Sequence, residues 1–206
     1  MPTLIDYVAR EQALRDWGLP DCLHVPIAAI DENAIEQYVG KIAEELSHYT
    51  TRKAFLVRTQ NPSPIDKRYP IFELQESSVL HSKMQVWVHV AYSRYRFAYR
   101  KAFSSEDISG KILSHAMNRR MAAMLGFQFV RITLVSRGTN SSSGFSEQWG
   151  VNLYRKASER TAYEKKHSFI RNADLPSLML MMDMKLGGGM MNAVNEGQQL
   201  VTRKRE

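Results

Sequence analysis

The strongest signal for the fold is one stretch of twenty residues, MQVWVHVAYSRYRFAYRKAF, at positions 84–103. It is rich in β-branched and aromatic residues and contains no proline or glycine, which is typical of a long strand. Apolar side chains fall mostly on even numbers as far as Val90 and on odd numbers from Tyr95 to Tyr99. A β-bulge at about 91–94 inserts one residue and corrects such a change of phase. Two separate strands joined by a tight turn are the alternative.

The sequence on either side of this stretch predicts further helices and strands. Asp31 has the side chain of an N-cap for a helix that extends to Tyr49, and Gly126 is placed to end a helix over 106–125. The other predicted elements are an extended segment at 22–29, strands at 53–59, 69–74, 127–135 and 151–154, helices at 3–18, 155–171, 174–186 and 190–201, and a Ser/Gly/Asn loop at 136–150.

This order of elements predicts an α+β protein. We expect a mixed or antiparallel sheet of about four to five strands, with helices packed on one face and a helical C-terminal region. The chain of 206 residues divides into an acidic, mostly helical N-terminal region (1–50), a basic sheet-containing core (51–174) and a methionine-rich helical C-terminal region (175–206). The length is that of one compact domain.

The charge of the chain is unevenly distributed. Residues 1–50 hold nine acidic and three basic side chains, whereas residues 51–206 hold twelve acidic and twenty-five basic ones, and the net charge is +7. Besides the arginines of 84–103, a second basic cluster comprises Arg155, Lys156, Arg160, Lys165, Lys166 and Arg171. Such a field favours a polyanionic partner.

Composition and motifs exclude several classes of protein. No apolar run reaches the roughly 18 residues of a membrane span, and the first residues are too charged for a signal peptide. The single cysteine, Cys22, has no partner for a disulfide within the chain, so we expect a protein of the reducing cytoplasm that does not bind membranes. The spacing of histidines and glycines matches neither a metal site nor a nucleotide-binding loop, so no metal or other cofactor is predicted.

Catalysis has weak support in the sequence. The acid–base chemistry that the residues permit is metal-free RNA cleavage, with His89 or His115 as the general base beside a cation that stabilises the phosphate. A histidine on a solvated face is the simpler explanation for both residues. An enzyme is therefore not the favoured interpretation.

Binding to nucleic acid is better supported, because one face of the predicted strand combines rings with cations. This face carries Trp87, His89, Arg94, Arg96 and Arg100, followed in the sequence by Lys101. Bases stack on such rings, and guanidinium groups hold phosphates in bidentate fashion. The basic helix 155–171 would add phosphate contacts on a duplex. The alternative is that Trp87 packs beneath a helix in a second core layer, which leaves only the arginines exposed.

Three functions follow from these patterns. The leading hypothesis is a non-catalytic nucleic-acid-binding protein, for DNA or RNA, whose acidic region 1–50 faces away from the ligand. The second is a structural or assembly subunit, in which region 1–50 docks on the basic body of the next copy and the methionine-rich stretch 179–191 forms the contact of a homo-oligomer. The alternative for this stretch is that its methionines fill gaps in the protein's own core. The third is the metal-independent ribonuclease.

Overall fold

A sheet in which every strand pair is antiparallel forms the centre of the molecule. The computed structural model describes residues 25–48, 52–59, 82–141 and 169–173, with Ser177, Leu180, Met181 and Asp183. In this part of the chain the strands are β1 (Pro26–Ala29), β2 (Gly40–Glu45), β3 (Ala54–Thr59), β4 (Met84–His89), β5 (Lys111–His115), β6 (Phe129–Ser136) and β7 (Ile170–Asn172). The helices α1 (Glu32–Tyr38), α2 (Tyr95–Ala102) and α3 (Arg119–Met124) pack around them, and residues 137–141 are also helical.

Strand β6 organises the sheet, whose strands follow the order β2-β3-β4-β6-β1-β7 with β5 also paired to β6. Val130 near the start of β6 lies opposite Val88 of β4 and Ala28 of β1. The later part of β6 pairs instead with β5, where Ile132 lies opposite His115. The protein is therefore α+β with an antiparallel sheet of seven strands in its described part, more than the four to five that the sequence predicts.

Helices cover both faces of the sheet. On one face, which we call the α2 side, Val86, Val88 and Val130 pack in a cluster with side chains of α2 and α3. On the other, the α1 side, Trp87 and Phe129 pack in a cluster with α1. Strands that are buried on both faces have apolar residues in continuous runs rather than in alternation. Because both faces of the central strands are apolar and each packs against a helix, the expectation that helices pack on one face alone is wrong.

Four local predictions are confirmed. Strand β3 falls within the predicted 53–59, and β6 overlaps the predicted 127–135. The Oδ1 atom of Asp31 accepts a hydrogen bond from the Ala34 amide at 2.7 Å, as an N-cap does. Gly126 follows α3 with a φ of +87°, the left-handed conformation expected where a helix ends.

The predicted continuous strand at 84–103 is wrong. Strand β4 ends at His89, the chain turns over 90–94, and α2 begins at Tyr95. The change of phase in the apolar pattern marks a transition from strand to helix rather than a β-bulge. On α2, Tyr99 is buried, whereas Phe97 is 47% exposed.

Two predicted helices are shorter than expected, because parts of them are strands. Helix α1 ends at Tyr38, and β2 follows at once, pairing with β3. The described part of region 1–50 thus contains two strands and one short helix and belongs to the main sheet, so it is not mostly helical. The predicted helix 106–125 contains β5, and its helical part is α3 alone.

The C-terminal predictions are described only in part. Ser177, Leu180 and Met181 are helical, and Met181 is fully buried in the cluster on the α2 side. The end of the predicted helix 155–171 is strand instead, because Ile170–Asn172 pairs with β1 as β7. The predicted loop at 136–150 is wrong in its first part, because Ser136 ends β6 and residues 137–141 are helical. The other predicted elements that lie outside the described residues are the helices at 3–18 and 190–201, the strands at 69–74 and 151–154, the remainder of the helices at 155–171 and 174–186, and residues 142–150 of the loop.

Candidate nucleic-acid interface

Helix α2 presents a row of cations and one aromatic ring to solvent. Its buried face packs on the sheet through Ala98 and Tyr99, and the Tyr99 hydroxyl donates a hydrogen bond of 2.8 Å to Glu106. The opposite surface is exposed, and we call it the α2 face. It comprises Arg94 at the N-cap position, Arg96, Phe97, Arg100 and Lys101. Residues three or four apart on a helix are surface neighbours, so these side chains form one patch.

Among the described residues, no acid neutralises the arginines of the α2 face. Within the described ranges, no carboxylate lies within salt-bridge distance of Arg94, Arg96 or Arg100. The guanidinium of Arg96 lies 5.9 Å from the centre of the Tyr95 ring, a cation–π distance. Their positive charge is therefore directed to solvent and to any anion that approaches.

The backbone of α2 adds to this positive potential at its N-terminus. The first turn contains no acidic residue, and the side chain of Arg94 forms no capping hydrogen bond. Helix N-termini carry a partial positive charge and favour anions, so the interaction of Arg94 and Arg96 with the helix dipole is unfavourable. A bound anion would offset both sources of positive charge.

Further cations extend the surface on the same side of the sheet. Arg119 and Arg120 are exposed in the first turn of α3. The ring of His115 packs against Tyr95 of α2, with 4.7 Å between the ring centroids. Burial first, and the charge of Arg119 second, lower the pKa of this histidine. The range 82–141 holds ten basic and two acidic side chains, a net charge of +8.

Trp87 is not part of this surface. Its ring is fully buried on the α1 side, and its Nε1 atom donates a hydrogen bond of 3.1 Å to Oε1 of Gln85. A nucleobase cannot reach it. Trp87 packs beneath α1 in a second core layer, as in the alternative to base stacking. Arg94 and Arg96 therefore do not share a sheet face with Trp87, because they belong to α2.

The two histidines considered for catalysis lie on opposite sides of the sheet. His89 sits edge-on to Phe129 at 5.6 Å, and its Nδ1 atom accepts a hydrogen bond from the Ala91 amide. Burial and the nearby Arg52 lower its pKa. His115 is on the α2 side, and its buried Nε2 atom has no hydrogen-bond partner among the described residues. As single general bases, His115 has a buried Nε2 atom and His89 lies on the side of the sheet away from the α2 face.

Lys101 and Arg171 differ from the three arginines. The Nζ atom of Lys101 lies 2.8 Å from a carboxylate oxygen of Glu44 and donates to the Glu45 carbonyl at 3.2 Å. The side chain of Glu44, in region 1–50, thus borders the α2 face instead of facing away from it. Arg171 is exposed on β7, at the opposite end of the strand order from β2. The remaining predicted cations lie outside the described residues; they are Arg155, Lys156, Arg160, Lys165 and Lys166.

Four residues of this surface or next to it were not predicted as site residues from the sequence: Phe97, Arg119, Arg120 and Arg52. Arg52 donates a hydrogen bond to the Ala91 carbonyl, in the turn before α2. Assigning 95–102 to a strand placed the Phe97 ring in the core. The spacing of four between Tyr95 and Tyr99 was the available sign of a helix.

Two other properties of the described part of the chain are relevant to function. No group of three or more His, Cys, Asp or Glu side chains in it is arranged to hold a metal ion. None of its helices has the length and hydropathy needed to cross a membrane.

Comparison with known proteins adds no functional information, because no family model, curated protein or solved structure matches the chain. The geometry of the α2 face is therefore the basis for assigning a function.

Proposed function

We propose that this protein binds nucleic acid without catalysing a reaction, and that it contacts the phosphate backbone through the α2 face. The observation that carries the proposal is the exposure of Arg94, Arg96 and Arg100 together on one helix, with no carboxylate of the described residues within salt-bridge distance. Guanidinium groups match phosphate geometry and stay protonated at all physiological pH values.

The spacing of the arginines supports a repeated anion as the ligand. Arg96 and Arg100 are four residues apart, which places their Cβ atoms about 6 Å from each other on the helix surface. Arg94 adds a third cation at the positive end of the helix dipole. A chain of phosphates can engage such a row at several points, whereas a single small anion would engage only one or two of these groups.

The two other candidate functions have less support. The acidic segment that an assembly subunit would use to dock on another copy is already in contact with the basic surface of its own chain, through Glu44 and Lys101. The ribonuclease would need an accessible base near the cations, and the Nε2 atom of His115 is buried.

The dependence of affinity on salt tests the proposal. Each phosphate contact contributes about 0.9 to the exponent of salt dependence on duplex DNA and about 0.7 on single strands. We expect Arg94→Gln combined with Arg96→Gln to lower the exponent by about 1.4 to 1.8, measured by fluorescence anisotropy. The control is Lys41→Gln with Arg137→Gln, which removes the same charge from exposed positions outside the α2 face and leaves the exponent nearly unchanged.

Two results would overturn the proposal. If the folded Arg94/Arg96 variant keeps the exponent of the wild type, the α2 face is not the contact surface. If the wild type binds neither DNA nor RNA at low salt, the protein does not bind nucleic acid. Size measurements at low and high salt would then test the assembly hypothesis.

A further inference from the structure

The α2 face contains one large apolar side chain among its cations. The ring of Phe97 is 47% exposed, although phenylalanine is among the residues most often buried in proteins. Arg94 and Arg100 lie three residues before and after it, so both are its neighbours on the helix surface. The ring also contacts the imidazole of His48 at 5.4 Å between centroids, which restricts its orientation.

We infer that Phe97 stacks on a nucleobase, and that the preferred ligand of the α2 face is therefore a single strand rather than a duplex. This inference rests on the proposed function. An aromatic ring beside cations that hold the backbone is the combination by which proteins bind single strands. In a duplex the bases are already stacked and paired, and their faces are not available to a side chain.

The other exposed rings of the described chain lack this setting. Tyr38 and Phe169 stack on each other, with centroids 5.8 Å apart and planes 15° apart. Tyr38 ends α1, which covers the opposite face of the sheet from α2. Its exposed fraction is 47%, the same as that of Phe97. Tyr38 therefore provides a matched control for the removal of an exposed ring.

The experiment compares the affinities of Phe97→Ala and Tyr38→Ala for a single-stranded oligonucleotide and its duplex, by fluorescence anisotropy across a salt series. We expect Phe97→Ala to weaken single-strand binding by about 5-fold to 140-fold, the usual effect of losing one stacked base. Duplex binding should change by less than about twofold, and the salt exponent should stay that of the wild type, since the arginines remain. Tyr38→Ala should change neither affinity.

A second pair of variants separates stacking from folding. Phe97→Leu keeps an apolar side chain against His48 but has no ring, so it should bind single strands as weakly as Phe97→Ala. Phe97→Trp should bind single strands at least as tightly as the wild type does. Binding of a single strand should quench the fluorescence of the added tryptophan. Thermal unfolding shows whether each variant is folded.

The outcomes distinguish this inference from the proposed function. If Phe97→Leu binds single strands like the wild type, or loses affinity for single strands and duplex equally, the stacking inference is wrong. The proposed function would still stand if the Arg94/Arg96 variant lowered the salt exponent in the same assay. If the wild type binds neither ligand, both fail.

Discussion

The imidazole of His115 should make the protein less stable in mild acid. The ring packs against Tyr95, and its Nε2 atom is buried without a hydrogen-bond partner among the described residues. Burial, together with a smaller repulsion from Arg119, lowers the pKa of His115 from 6.5 to about 4. In the unfolded chain the same imidazole is solvated and titrates near its ordinary pKa of about 6.5.

The sign and size of the effect follow from these two pKa values. Between them the unfolded chain binds a proton that the native protein does not, so the free energy of unfolding falls as the pH decreases from 6.5 towards about 4. The full difference between the two pKa values corresponds to a loss of about 3 kcal/mol in the free energy of unfolding. From about pH 7 to about pH 5, the expected loss from His115 alone is about 2 kcal/mol.

Urea denaturation of the wild type and His115→Phe at these two pH values measures this contribution. Phenylalanine keeps a ring in the apolar site beside Tyr95 and cannot titrate, so the wild type should lose about 2 kcal/mol more than the variant on acidification. With a slope of about 2 kcal/mol per molar urea, this is a difference of about 1 M in the midpoint shift.

A matched control is His89→Gln, which removes another histidine whose pKa is lowered by burial and by Arg52. This variant should keep the part of the acid sensitivity that depends on His115. Protonation of carboxylates occurs in every variant and cancels in the comparison. If the wild type and His115→Phe lose the same free energy between the two pH values, His115 titrates alike in the native and unfolded protein, and burial does not lower its pKa.

Three further predictions concern the helix cap, the closest approach of two strands and the acidic border of the α2 face. Asp31→Ala should lower the free energy of unfolding by about 1 kcal/mol, and Asp31→Asn, which keeps an acceptor, should lower it much less in the same urea titration. Gly40→Ala should cost about 1–3 kcal/mol by thermal unfolding, because the new Cβ would overlap the Arg58 carbonyl of β3; an unchanged melting temperature would contradict this. Glu44→Gln should release Lys101 and raise the salt exponent on single strands by up to about 0.7; a constant exponent would mean that this lysine reaches no phosphate.

The parts of the fold that the sequence predicted correctly depend on local signals. The side chain of Asp31 caps a helix through a hydrogen bond to a residue three positions away, and Gly126 adopts a conformation that other residues disfavour. Strands β3 and β6 have apolar side chains on both faces and lie inside the sheet. Such features need no knowledge of distant residues.

The errors concern short segments in which two periods fit equally well. In 95–99 the apolar residues occur at every second position, as in a strand, yet Tyr95 and Tyr99 are also four apart, as in a helix. Helix α2 has eight residues, which is too short to be stable without tertiary packing. Two residues inside the predicted helix 106–125 could have divided it. Gly110 adopts a φ of +74°, which glycine favours, and Asn118 is of the type that caps a helix and does cap α3.

The candidate site was predicted unevenly for the same reason. Arginines are cations in any conformation, and long charged side chains seldom lie fully buried, so the exposure of Arg94, Arg96 and Arg100 did not depend on the predicted secondary structure. Which aromatic ring is exposed does depend on it. A strand over 84–103 placed Trp87 with the arginines and Phe97 in the core, whereas the strand-to-helix transition gives the reverse arrangement.

The stability of α2 and its proposed role impose opposite demands on its first turn. Each cation near a helix N-terminus typically costs about 0.3–1 kcal/mol, and α2 begins with Arg94 and Arg96 and no compensating acid. The helix is held instead by its buried side, where the Tyr99 hydroxyl donates a hydrogen bond to Glu106. Burial is the main cause that raises the pKa of this phenol, and the Glu106 carboxylate is the second cause. Because packing stabilises the helix from below, its outer surface can carry unneutralised charge. A phosphate bound there would relieve the same repulsion, so part of the stability lost in the free protein is recovered as affinity for the ligand.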